Sequence, residues 1–180
     1  METWEWIVIA GAAVLLVVLA LAFFRIRRRR AHLKERFGPE YYRAVSESST
    51  GEAEKRLSGV ERTHEELPIR PLPPAARDRY LDEWRQAETR FVSDPREAVR
   101  VAERLVERVL EERGYPPDGD VERRVALVAV DHPDVAERYR HGHAMLAHVD
   151  GDESTENLRR AMIDFRSVLE ELLETSRRAA

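Results

Sequence analysis

Hydrophobic and polar positions fall into two patterns along this chain. From Trp6 to Phe24, nineteen consecutive residues carry no charge, and Arg25, Arg27, Arg28, Arg29 and Arg30 follow at once. From about Ala75 onward, apolar residues recur every three or four positions, the period of helices that each bury one side. No stretch alternates as a strand would. The pattern predicts an all-α protein: one N-terminal transmembrane helix (4–24), a charged linker, and a C-terminal bundle of about five helices (75–176).

The transmembrane expectation rests on length. Nineteen residues at about 1.5 Å each reach roughly 28 Å, close to a bilayer core of about 30 Å. Trp4 and Trp6 suit one interface, where amphipathic rings prefer to sit. Gly11 has no partner four residues away, so no GxxxG dimer face is present. Ala20-Leu21-Ala22 has the small-x-small look of a signal-peptide cleavage site. A signal peptide begins with positive charge, however, whereas Glu2 and Glu5 stand before this run and its basic residues come after it. An uncleaved anchor is the better reading. Basic flanks stay on the cytoplasmic side, which predicts an N-terminus outside and a cytoplasmic C-terminal domain at the cell inner membrane or plasma membrane.

Residues 25–45 form a basic juxtamembrane segment. They hold eight basic and two acidic residues, a net +6, while residues 46–180 carry a net −8. Beside a span such a collar attracts anionic lipid. Arg25, Arg27, Arg28, Arg29, Arg30 and Lys34 are therefore the candidate lipid contacts, although arginines in this place also serve simply to fix topology. Phe37, Tyr41 and Tyr42 are expected near the headgroup layer. The acidic remainder argues against nucleic acid as a partner. With no cysteine, disulfides, thiolate zinc sites and cysteine nucleophiles are excluded.

Gly38-Pro39 is a helix stop. Residues 46–74 are expected to be a charged and Pro-rich linker. Within it 52–67 is a marginal helix whose thin stripe of Leu57, Val60 and Leu67 makes a candidate partner contact. Pro68, Pro71, Pro73 and Pro74 follow as a stiff extended segment that marks the domain boundary. The bundle helices are punctuated by local signals: Asp94-Pro95-Arg96-Glu97, Asp120, Pro133 and Ser154 or Thr155 at starts, Gly114 at an end. The second bundle helix has a wide apolar face, Ala98 to Leu110, that implies more than one neighbour. The last carries Leu158, Met162, Phe165, Leu169 and Leu172 at heptad spacing over about two heptads, which suits a core helix of a bundle better than a coiled coil.

Candidate chemistry is sparse. His132, His141, His143 and His148 cluster in sequence, but His141 and His143 lie two apart and point to different sides of a helix, and HExxH is absent. Metal ligands on one helix need spacing of three or four. His141 is instead expected to pair with an acid such as Glu137. Asp150, Asp152 and Ser154 mimic the opening of a calcium loop, yet Thr155 and Ala161 occupy its essential glycine and glutamate positions. No GxSxG, Walker or GxGxxG glycine motif occurs. No catalytic, cofactor or metal site is expected.

Four phrases in order, LKERFGPEYYRAV (33–45), YLDEWRQAETRFVSDPREAVRVAERLVERVLEERGYP (80–116), VDHPDVAERYRHGH (130–143) and STENLRRAMIDFRSVLEELL (154–173), resemble an uncharacterised family of bacterial single-pass membrane proteins. The resemblance implies an N-terminal anchor and a helical cytoplasmic domain, and with no assigned activity in that family it implies no catalytic residue. This chain departs from the family phrases at Glu88, where they have Gln, and at Gly142, where they have Ala. Together these readings lead to the expectation of a membrane-anchored protein-interaction or scaffold module, binding a protein partner or itself. The alternative is a sensor or enzyme using the histidine-rich region 132–148.

Overall fold

The computed structural model describes residues 2–117, 120–147 and 154–178, with side chains over 13–117, 120–147 and 155–174. Among these residues there are eight α-helices and no strand: α1 (Glu2–Phe37), α2 (Pro39–Glu47), α3 (Thr50–Glu65), α4 (Pro74–Phe91), α5 (Pro95–Glu112), α6 (Val121–Ala129), α7 (Pro133–Ala147) and α8 (Ser154–Arg178). The protein is all-α, as the periodicity predicts.

Helices α4 to α8 form the expected bundle, with α5 at its centre. Its buried face of Ala98, Val99, Ala102, Leu105, Val106, Val109 and Leu110 is wide enough to meet α4, α7 and α8. The heptad residues of α8 are core positions, from Met162 at 8 % exposure to Phe165 and Leu172 at 0 %. Local capping starts the helices where the sequence signals them. Asp94 accepts from the Glu97 N–H at 3.1 Å and Asp120 from the Arg123 N–H at 2.7 Å. Each such cap is worth about 1 kcal/mol.

The segment before the bundle is more ordered than a linker. Helix α3 opens with a capping box between Ser49 and Glu52 and packs on α1, α2 and α6. The Pro-rich stretch is fastened to the bundle rather than standing off it. Leu72 is buried, and the Arg70 N–H donates to the Arg113 carbonyl at 2.9 Å. Gly114, at φ +103°, lies so close beneath the Pro68 carbonyl that a Cβ there would come within 2.5 Å of its oxygen. The one core therefore takes in Leu33 and Phe37 of α1, Tyr41 and Ala44 of α2 and Leu57 of α3 as well as the bundle.

Helix α1 is 36 residues long, about 54 Å at 1.5 Å per residue. Its last turns enter the core, and Gly38 at φ +50° then turns the chain into α2. Val14 to Phe24 behave differently. Val14, Leu15, Leu16, Val17, Val18, Leu19, Leu21, Phe23 and Phe24 are all more than half exposed, on every side of the helix. Among the described residues no helix is long and apolar enough to cross a membrane.

Candidate functional site

The basic collar is divided by the packing of α3 beside it. Arg29 donates to Ser58 Oγ at 2.6 Å through Nη2, and Arg30 Nε lies 2.8 Å from Glu54 Oε1. One turn later Glu61 lies 2.8 Å from His32 and 3.4 Å from Arg36. Arg36 also reaches Asp131 at 3.7 Å, where His64 Nε2 arrives at 3.1 Å from α3. Arg25 and Arg27 have no protein partner among the described residues, and Arg28 lies over the Phe24 ring at 4.3 Å. Lys34 Nζ sits 5.5 Å from the Tyr41 ring and 5.9 Å from that of Tyr42. Phe37 and Tyr41, expected at the headgroup layer, are core residues, and Tyr41 donates to Glu54 at 3.3 Å. Burial first, then the Glu54 carboxylate, raises its phenol. Only Tyr42 remains exposed.

The stripe expected to meet a partner turns inward. Leu57 is 1 % exposed in the core, and Val60 and Leu67 are half-buried against it. The helix that carries Leu57 and Val60 packs on the chain's own α1, α2 and α6. The thin stripe is stable because those neighbours are tethered in the same chain.

A cleft of about 610 Å³ opens between α2 and α7 and is bordered by Asp164 of α8. At its floor the nearly buried carboxylate of Glu40 meets Arg140 Nη2 at 2.7 Å. Arg140 donates to both oxygens of Glu122 at 3.1 Å, and Arg43 spans from Glu47 (2.8 Å) to Glu122 (3.6 Å). The Glu47 carboxyl is held below its ordinary range chiefly by the Arg43 hydrogen bond. On the rim, His141 Nδ1 lies 2.6 Å from Asp164 Oδ2. Helix α7 supplies the histidine and α8 the carboxylate. Among the described residues no hydroxyl nucleophile lines the cleft.

The remaining histidines do not converge. His143, two residues along α7, contacts Glu103 of α5 on the other side of the helix. His132 is held below the ordinary histidine range, chiefly by burial and then by the Arg113 guanidinium. His148, like the loop 148–153, lies outside the described residues. Among the described residues no group of three or more His, Asp or Glu could hold a metal ion. The acid that His141 meets is Asp164, not Glu137.

Two polar locks tie helices of the bundle to one another. Arg124 donates to Glu107 at 2.6 Å, to the Tyr139 hydroxyl at 3.1 Å and to the Pro117 carbonyl at 2.7 Å. Arg113 donates to the Leu172 carbonyl at 3.1 Å. Burial pushes the Tyr139 and Tyr115 phenols up to about 12. Sequence reasoning missed Glu40, Arg140 and Asp164 as a set. Each is one charge among many on a helix surface, and no local signal marks its distant partner.

No protein-family model matches the chain, and no curated protein or solved structure is significantly similar to it.

Proposed function

We propose that this protein is a membrane-anchored interaction or scaffold module, with α1 spanning the inner or plasma membrane of a bacterium. Its N-terminus would lie outside and its helical domain at the cytoplasmic face, presented to a protein partner or a second copy. The observation that carries this reading is the exposure of Val14 to Phe24 on all sides of α1, immediately before the arginines. A helix apolar all round is at home in lipid, not in water. The reading also draws on the resemblance noted above. Because α1 runs unbroken into the core through Leu33 and Phe37, the domain would hold a set orientation at the membrane. With Leu57 and the α8 seam buried, the charged cleft between α2 and α7 is the surface we assign to a partner.

The test is in-cell crosslinking of the full chain, followed by solubilisation and mass spectrometry, beside alkaline extraction of membranes. The expected result is retention in the membrane and a reproducible crosslinked partner or dimer that is lost when Glu137 and Arg138 on the cleft rim are reversed in charge. Release by alkali would overturn the anchor; the protein recovered alone from intact membranes would overturn the interaction role.

The contact between His141 and Asp164 favours a second reading, a sensor or enzyme acting at the cleft. It predicts that a small-molecule screen by thermal shift finds a ligand whose effect disappears in His141→Gln.

A further inference from the structure

The collar's arginines are not equivalent. At about 100° per residue, Arg29 and Arg30 flank the side of α1 on which Leu33 enters the core, and both are taken up by α3, through Ser58 and Glu54. Arg27 and Arg28 fall about 120° and 140° around the helix from Leu33. Arg25 lies a full turn before the first contact with α3. Arg25 and Arg27 meet no protein group among the described residues, and all three side chains belong to exposed residues. The Arg28 guanidinium lies over the ring of Phe24, the last residue of the uncharged run. That stacking sets a cation at the point where apolar surface gives way to charge.

We propose that Arg25, Arg27 and Arg28 form a binding site for anionic phospholipid headgroups of the leaflet beside the domain, and that Arg29 and Arg30 take no part in it. This inference rests on the membrane-anchor reading. Three guanidiniums within one turn, about 5 Å of helix rise, carry positive charge with no counterion among the described residues. A phosphodiester headgroup offers the bidentate acceptor that arginine fits best. Their long side chains can reach back along α1 to the headgroup level. Arg29 and Arg30 instead brace α1 against α3, so that the domain's orientation follows that of the anchor helix.

The test uses the full chain in phosphatidylcholine bilayers with trace spin-labelled phosphatidylglycerol or spin-labelled phosphatidylcholine. The motionally restricted fraction of each lipid is read by electron spin resonance. The expected result is a several-fold preference for the anionic label that is lost in R25Q/R27Q/R28Q and kept in R29Q/R30Q. The second variant should instead speed amide hydrogen exchange in α3. The first variant removes no protein hydrogen bond, so its helical circular dichroism should match that of the parent. Restricted lipid with no headgroup preference, or a preference lost equally in both variants, overturns this inference alone. No restricted lipid of either kind overturns the anchor reading and this inference with it.

Discussion

The guanidinium of Arg140 on α7 lies 2.7 Å from the carboxylate of Glu40 on α2, and the glutamate is only 7 % exposed. The pair joins the segment that follows α1 to the C-terminal bundle. A buried carboxylate that loses its cation keeps its desolvation cost and gains nothing in return. Arg140→Met is therefore expected to destabilise the fold by about 3 kcal/mol, the lower end for a broken buried pair because Arg140 keeps some water. Adding Glu40→Gln should recover much of that loss. Urea midpoints of the two single variants and the double variant measure the coupling. Equal, additive losses would show that the two side chains do not act as a pair.

A second prediction sets two glycines against each other. Gly114 has φ +103° and no room for a Cβ beside the Pro68 carbonyl, whereas Gly59, inside α3, has no atom within 4 Å of a Cβ position. Gly114→Ala would combine backbone strain of about 1–3 kcal/mol with a clash against backbone, and should lower the thermal midpoint markedly. Gly59→Ala should raise it, by about 0.5–1 kcal/mol of helix stability. Thermal melts of the two variants check both signs, and a neutral Gly114→Ala would contradict the close approach.

The role of α3 can be decided by one substitution. Leu57→Ala should cost about 2–5 kcal/mol, the range for a large side chain removed from a packed core. Replacing the exposed Tyr42 by Ser should change stability by no more than about 0.5 kcal/mol. Chemical denaturation distinguishes this from the surface role that the thin stripe suggests. A partner-contact leucine would leave the urea midpoint unmoved.

These three cases mark the boundary of what the sequence discloses. The starts at Asp94 and Asp120 are legible because a cap acts on a backbone N–H three residues away, that at Pro133 because proline suits the first turn of a helix, and the wide face of α5 announces several neighbours by its width. The burial of Leu57 is not legible from α3. Its stripe is thin, and what covers it arrives from α1, α2 and α6. Tyr41 and Tyr42 stand side by side in sequence and have opposite fates, one in the core and one in the open, because a helix sends neighbours about 100° apart. The cleft is less legible still. Glu40, Arg140 and Asp164 come from three helices, and in a chain rich in both charges no pairing can be singled out before the fold brings its members together. The collar is visible as a run of arginines, but its division between α3 and solvent is a product of packing.

The last prediction concerns pH. His132 is held below its ordinary value of 6.5, first by burial and then by the Arg113 guanidinium. His64 pushes in the same direction, while Asp131 and Glu171 oppose it. A histidine with a lowered folded value binds its proton more readily in the unfolded chain, so stability rises with pH through that interval. The contribution is complete above about pH 6.5, the unfolded value, and is lost as pH falls through the folded one. Urea unfolding of the parent and His132→Gln at pH 8 and pH 5.5 isolates this effect, since the carboxylates that also titrate toward acid are common to both proteins. The parent should lose more stability between the two conditions than the variant does. The glutamine should cost stability at pH 8, where the neutral imidazole packs well, and less at pH 5.5, where the imidazole would have to remain uncharged beside Arg113. Parallel losses in the two proteins would show that His132 gains its proton as easily in the folded chain as in the unfolded one, against the burial and the neighbouring guanidinium seen here.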